Sequence, residues 1–316
     1  MKILFVTNMF PTKSHIYYGI HVREQMEGLM KKNDITGLLY FINALENGKI
    51  EYIKALFKIR KTISKFKPEI IHIHYGLAGL FLLLFRPKCK IFVTLHGGDI
   101  LPRQGKFLQL FFTRRILKKV DKAFILNEEM AEILSELKIP FEILPCGVDI
   151  DYFKQNEDLI IAKKINKVLV FPGDSARPVK NFSLFKEVFE EIKKIAPSYN
   201  VDMKIVHNLE RIEVVNTLCS SDCLVMTSFS EGSPQIIKEA LSCNLPVVSV
   251  NVGDVSNVIE GLPGCFVTKT YAPRELAEAV IKSLGSDVSD LRKKFIKKGI
   301  YDNNSIFNRL YQAYKE

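Results

Sequence analysis

The stretch Cys223-Leu-Val-Met-Thr227-Ser-Phe-Ser-Glu231-Gly-Ser-Pro-Gln-Ile-Ile-Lys-Glu239 runs from a short apolar segment through a polar loop into an amphipathic pattern of helical period. That order, strand then loop then helix, is the repeating unit of an α/β protein. Ser233 suits the cap of the helix and Pro234 its first turn. Two carboxylates, Glu231 and Glu239, bracket the helix start. At roughly 1.5 Å of rise per residue the second lies about 8 Å along the helix flank. A helix start attracts anions, so a phosphate or diphosphate fits between the carboxylates, each of which can accept hydrogen bonds from hydroxyl groups on either side. The outline is that of a nucleotide sugar. The plainer reading makes Glu231 a loop charge and Glu239 a solvated helix residue.

Outward from this stretch the same alternation continues. Strand candidates in the first half are Ile3–Thr7, Gly37–Ile42, Ile70–His74, Ile91–Leu95, Ala123–Leu126 and Phe141–Leu144; in the second they are Val168–Phe171, Met203–Val206, Cys223–Thr227, Val247–Val250 and Cys265–Thr268. Helices are expected to begin near Asn181, Arg211, Ser233, Pro273 and Asp287, and Gly76 to Phe85 reads as a buried helix. A polar segment from Asp149 to Ile165 separates the two series. The expected fold class is therefore α/β, two Rossmann-like doubly wound domains facing across a cleft, at residues 1–155 and 165–300, with ligands beyond the carboxyl ends of the strands.

Composition supports two cores and excludes several classes. The chain has 316 residues, of which 47% are hydrophobic. No run reaches the roughly 18–20 apolar residues of a membrane span, and the N-terminal stretch lacks signal-peptide features, so a cytoplasmic location is expected. The six cysteines form no CxxC pair and no Cys/His ligand spacing, which points to free thiols rather than zinc or disulfides. Net charge is +10, and residues 1–150 carry 23 Lys and Arg against 14 Asp and Glu. One basic cluster runs from Lys54 to Lys67. The other, Arg103 to Lys122, interleaves with Phe107, Leu108, Phe111 and Phe112, the make-up of a helix at an anionic membrane surface, or of a solvated face over a packed one. No nucleic-acid-binding motif accompanies the charge, and no nucleic-acid partner is expected.

Several chemistry-bearing residues fall at strand ends. Gly19 precedes a helix, where a glycine either lets backbone approach a phosphate or simply makes a turn. His96-Gly97-Gly98-Asp99 presents a histidine and a carboxylate, and His72 and His74 share one strand face as core or hydrogen-bonded histidines. Arg177 and Lys180 precede a helix start, a place for cations only if an anion binds there. No GxGxxG after a strand, no GxxxxGK[ST] and no GxSxG occur, which argues against dehydrogenase, P-loop and hydrolase readings.

Taken together, Pro11…Gly19…His21, Ile71-His-Ile-His74, Thr94-Leu-His-Gly-Gly-Asp99, Pro145-Cys-Gly-Val-Asp149…Phe153, Lys180 and Glu231-x7-Glu239 resemble the retaining glycosyltransferases of family 4, which have the GT-B fold. The resemblance covers nearly the whole chain. It implies a hexosyltransferase with an N-terminal acceptor-binding domain, onto which residues 303–316 pack back, and a C-terminal nucleotide-sugar domain. By that resemblance Glu231 binds hydroxyls of the donor sugar and Glu239 the ribose diol. Backbone of Gly232, Ser233, Pro234 and Gln235, with Lys180, holds the diphosphate, while His96 and Asp99 attend the reacting sugar and acceptor. No metal or other cofactor is implied; the donor is a UDP- or GDP-sugar and the acceptor a cell-envelope glycan or glycolipid, met at the inner membrane face. Three departures stand out. Asp174 occupies the place of the family's arginine, with Arg177 as its substitute; Cys146 replaces an asparagine; and the glycine-rich loop near the base is poorly matched at His207-Asn208-Leu209. A GT-B sugar-nucleotide epimerase, or a non-catalytic basic protein for lipid or nucleic acid, stays open beside this reading.

Overall fold

The computed structural model describes residues 1–102, 106–155 and 166–316, so Arg103 of the second basic cluster and most of the polar connecting segment lie outside the described residues. The chain divides into two units, one of Met1–Pro145 with Ile306–Glu316, the other of Cys146–Ser305. Each holds one wholly parallel sheet.

In the first unit, β1 (Lys2–Thr7), β2 (Thr36–Phe41), β3 (Ile70–His74), β4 (Lys90–Thr94), β5 (Lys122–Ile125) and β6 (Phe141–Ile143) lie in the order β2-β1-β3-β4-β5-β6. Every residue of β3 is buried, as expected for a strand with helices on both sides. The connections are α1 (Ile20–Met30), α2 (Ala44–Asn47), α3 (Ile50–Phe66), a 3-10 segment (Gly76–Leu83), α4 (Phe107–Leu117) and α5 (Glu128–Glu136). The second unit's strands β7 (Lys167–Pro172), β8 (Val201–Val206), β9 (Cys223–Met226), β10 (Val247–Val250) and β11 (Phe266–Thr268) lie in the order β11-β10-β9-β7-β8. Its helices are α6 (Phe182–Ile195), α7 (Arg211–Cys219), α8 (Gln235–Ser242), α9 (Val255–Ile259), α10 (Pro273–Leu284) and α11 (Leu291–Lys297). Helix α12 (Asn303–Lys315) returns to the first unit, where Ile306, Leu310, Ala313 and Tyr314 join a core with Ile3, Phe5 and Phe92.

In both sheets strand order reverses beside the first strand, between β1 and β3 and between β7 and β9. At such a switch point neighbouring loops diverge to opposite faces and leave a crevice at the carboxyl edge.

The buried helix expected over Gly76–Phe85 forms as a 3-10 helix over Gly76–Leu83: a Cβ on Gly76 or Gly79 would lie 2.5 Å from Thr113 or 2.8 Å from Ile116, so these glycines let the segment press directly on α4. Two local expectations need correction. The helix expected at Ser233 starts at Gln235, because the Ser233 hydroxyl is used elsewhere, as described below. The helix expected near Asp287 starts at Leu291; Asp287 instead accepts a hydrogen bond from the Ser289 amide at 2.9 Å and shapes a turn. All six cysteines are free thiols. Among the described residues no helix is long and apolar enough to cross a membrane.

Candidate active site

The second unit's switch point is built from two loops, one after β7 and one after β9. They are tied together by backbone. Thr227 donates its hydroxyl to the Lys180 and Asn181 carbonyls at 3.1 and 3.0 Å, and the Phe229 amide donates to the Val179 carbonyl at 2.9 Å. This brings Lys180 to Glu231, Nζ to Oε1 at 2.7 Å, with each side chain only 16% exposed. Gly173, with φ at +123°, makes room for that lysine: a Cβ there would lie 2.9 Å from Lys180 Cε. Behind the Glu231 loop, Gly253 sits so close that a Cβ would come within 2.6 Å of the Gly232 carbonyl oxygen.

Glu239 lies on α8, buried, and its Oε1 accepts from Arg211 Nη1 at 2.7 Å. Arg211 opens α7 and its guanidinium also covers the Phe153 ring at 4.5 Å. Beneath the loop, Lys238 is fully buried and donates to both carboxylate oxygens of Asp254 at 2.9 and 2.8 Å and to Ser233 Oγ at 2.7 Å. Ser233 in turn donates to Asp254 Oδ2 at 2.6 Å and accepts from the Cys146 amide at 3.0 Å. So Ser233 fixes the loop from behind instead of capping the helix, and Pro234 occupies the cap position. Arg177 is exposed just before the short 3-10 turn Pro178–Lys180; Asp174 accepts from the Ala176 amide at 2.9 Å and stands 3.9 Å from His207 Nε2.

The first unit's switch point carries histidines. His72, His74, His96 and His21 form a column, with ring centroids 4.4, 5.7 and 4.8 Å apart in turn. His72 is anchored through Nδ1 by the Tyr314 hydroxyl and through Nε2 by Thr94 Oγ1 at 2.7 Å. Both ring nitrogens of His74, and Nε2 of His96 and of His21, are buried without a hydrogen-bond partner. Asp99 is fully buried; its oxygens accept from the Gly76 and His96 amides, both at 2.9 Å, so it holds the loop that presents His96. Gln109 of α4 donates to the Gly98 carbonyl of the same loop at 2.7 Å. Gly19 adopts φ of 72°, and a Cβ there would strike the Met9 carbonyl at 2.5 Å; this close approach requires a glycine with or without a ligand. Among the described residues no group of three or more His, Cys, Asp and Glu is arranged to hold a metal ion.

Burial keeps the column neutral. It lowers the His21 and His72 pKa to about 4 and about 3, and those of His74 and His96 well below the ordinary value, while it raises that of Asp99 to about 6 against the pull of its amide donors. The unfolded chain takes up protons on these histidines below about pH 6.5 and the folded chain does not, so their stabilising contribution is complete above that pH and is lost as pH falls toward 4. Asp99 acts in the opposite sense between about pH 6 and 4, one group against four. Thermal unfolding should therefore shift to lower temperature between about pH 7.5 and about pH 5, at about 1.4 kcal/mol per pH unit for each histidine in the limit of independent sites. A midpoint that stays flat would show that the folded column takes up protons.

Of the residues expected from the sequence, the structure brings Lys180 to Glu231 and Asp99 to the His96 loop, and it adds Arg211 beside Glu239 and the Lys238–Asp254 pair, which the sequence did not single out. Lys238 carried one signal: it stands beside Glu239 on the apolar stretch of the helix, an improbable place for a solvated lysine.

Two parallel doubly wound units define the class, the GT-B fold. The family description Glycosyltransferase Family 4 matches residues 21–152, and Glycosyl transferases group 1 matches residues 150–286. The first match lies almost wholly in the first unit and the second match within the second unit, and together they span residues 21–286. TuaC of Bacillus subtilis (strain 168), named as a teichuronic acid biosynthesis glycosyltransferase, is 25% identical over 242 residues, 68% of this chain and 61% of that relative. This chain thus spans about three fifths of that relative's length. The UDP-Gal:alpha-D-GlcNAc-diphosphoundecaprenol alpha-1,3-galactosyltransferase of Escherichia coli is 22% identical over 302 residues, 83% of this chain and 78% of that protein. Among solved structures, sucrose-phosphate synthase from Thermosynechococcus elongatus aligns with a TM-score of 0.80 at 13% identity, over 99% of this chain and 98% of its own. HepE of Anabaena, solved with UDP-glucose, aligns at 0.74 and 14% identity over 99% of both chains. Likeness at this level shows the fold.

Proposed function

We propose that this protein is a retaining hexosyltransferase that moves a sugar from a nucleotide diphosphate sugar, UDP-linked before GDP-linked, to a glycan or lipid-linked acceptor of the cell envelope. The observation that carries this is the Lys180–Glu231 pair, held by two backbone-locked loops at the second unit's switch point. A lysine there has three N–H donors, one used by Glu231, which leaves donors for a diphosphate. The relatives suggest the substrate classes: UDP-Gal and a diphosphoundecaprenol acceptor in the name of one, UDP-glucose bound to another.

In this reading Lys180 and Arg177 meet the diphosphate charge that grows as the bond to the sugar breaks, helped by the positive start of α8. Glu231 holds sugar hydroxyls and Glu239, steadied by Arg211, the ribose. The bond from the anomeric carbon to phosphate oxygen breaks, and the acceptor oxygen bonds to the same face of that carbon. The acceptor's proton passes to the departing phosphate oxygen, and configuration is retained. Neutral His96 can both donate to and accept from a hydroxyl, and Asp99 positions it through the loop backbone. With cationic side chains meeting the diphosphate, transfer is expected to persist in EDTA.

Thermal unfolding in the presence of UDP, GDP, ADP and CMP tests the donor site. A nucleotide at about 100 times its Kd stabilises by about 2.7 kcal/mol. Stabilisation by UDP, or failing that GDP, that disappears in Glu239→Gln supports the site; no response to any diphosphate overturns it. Consumption of a UDP-sugar with inversion at a ring carbon and no acceptor product would replace transfer by epimerisation.

A further inference from the structure

We propose that α3 and α4 of the first unit form one two-helix docking face for an anionic lipid bilayer, with the apolar beginnings of both helices inserting at the carboxyl edge of the sheet. Three observations combine. The first is exposure. Ile50, Ile53 and Phe57 on α3 are 50%, 53% and 73% exposed, and Phe107, Leu108 and Phe111 on α4 are 77%, 68% and 41% exposed. On α3 they recur at helical spacing on the side away from buried Ala55 and Ile59, so they are a stripe and not stray apolar residues.

The second is an axial gradient that the two helices share. Each starts apolar and ends basic: α3 continues into Lys58, Arg60, Lys61 and Lys65, and α4 into Arg114 and Arg115, with Lys118 and Lys119 directly after. Glu51 is the one acidic residue of α3, and α4 has none. A surface with aromatic and aliphatic side chains at one end and, at the other, cations that make no ion pair among the described residues matches the acyl boundary and the anionic headgroups of a bilayer. A nucleic acid would engage the cations but not the apolar ends.

The third is placement. The connections from β2 to β3, β3 to β4 and β4 to β5 all step the same way across the sheet, so right-handed crossovers put α3, the 3-10 segment and α4 on one side. Both helices pack on that 3-10 segment, and Arg60 of α3 lies over the Phe85 ring just beyond it, 5.6 Å from its centroid. Helices in such crossovers begin at the carboxyl edge, where the His96 loop lies. Gln109, between exposed Leu108 and Phe111, holds the Gly98 carbonyl of that loop, so the inserting end of α4 and the loop are one connected piece. That this edge receives a lipid-linked acceptor rests on the proposed function; the docking face does not.

The test is co-sedimentation of the full chain with phosphatidylcholine vesicles with and without about one third phosphatidylglycerol. Binding is expected to the anionic vesicles only, to weaken with salt, and to fall by about tenfold or more in each of two separate variants, Phe57→Ser with Lys58→Glu on α3, and Phe107→Ser with Lys118→Glu on α4. An α3 variant that binds like the parent overturns the two-helix face. So does binding to a duplex or single-stranded nucleic acid without vesicle binding, or concentration-dependent self-association that both variants abolish while vesicles are ignored. The nucleotide-dependent thermal shift, measured on the parent and the same variants, separates the two proposals: a parent that binds anionic vesicles but is stabilised by neither UDP nor any other diphosphate would overturn the donor site alone.

Discussion

Lys180→Ala is expected to lower the rate of sugar transfer by about two to three orders of magnitude while the protein stays folded. Removing a single preorganised donor that faces developing negative charge costs about that much, roughly 3–4 kcal/mol of transition-state stabilisation. Lys180 is such a donor in the proposed reading, because it is held by Glu231 at 2.7 Å and by packing against Gly173 before any ligand arrives. The fold should tolerate the change: the Lys180 side chain is 16% exposed and Glu231, equally exposed, gains water in place of its partner. The loss should fall mainly on kcat, because charge on the leaving diphosphate grows most in the transition state. A variant that transfers sugar within threefold of the parent rate would remove Lys180 from the diphosphate site.

A second large effect concerns stability. Asp254→Ala should destabilise the second unit by about 3–5 kcal/mol, because it leaves the fully buried Lys238 ammonium without its counter-charge, with the Ser233 hydroxyl at 2.7 Å and the Tyr301 ring 5.6 Å away in its place. Lys238→Met added to Asp254→Ala removes the stranded charge and fills the space with an unbranched apolar chain, so the double variant should regain most of the loss. Denaturant unfolding of the two variants decides the matter: equal midpoints for single and double would mean that the ammonium is not what the carboxylate supports. Since the network also holds Ser233, and Ser233 holds the loop, the single variant should bind nucleotide more weakly even where it remains folded.

The strands were legible because a parallel strand covered on both faces writes itself as a short, nearly continuous apolar run; Ile70–His74 and Val247–Val250 match to the residue. The helix at Ser233 was misplaced because Ser-Pro-Gln looks the same whether the hydroxyl caps a helix or is taken by Asp254, 21 positions away. Gly76–Phe85 announced burial but not helix type, since apolar composition has no term for a pair of glycines pressed on Thr113 and Ile116. The site followed the same division. Residue types and strand-end positions exposed Glu231, Lys180 and His96, whereas the pairing of Lys180 with Glu231 and of Arg211 with Glu239 spans 51 and 28 positions and depends on sheet order. A period of two put His72 and His74 on one face; only the fold adds His21 and His96 to their column.

The discontinuity of the first unit sets an order of events during synthesis. Residues 146–305, a complete parallel sheet with its helices, emerge from the ribosome before Ile306, Leu310, Ala313 and Tyr314, which the first unit needs for its core and for the hydroxyl on His72. At about 5–20 residues per second the earlier unit waits on the order of ten seconds or more with that flank open, while the later one already has everything it requires. The unit encoded first is therefore the one that closes second, and a nascent chain halted before Ile306 would expose Ile3, Phe5 and Phe92 to chaperones while its other half is already folded.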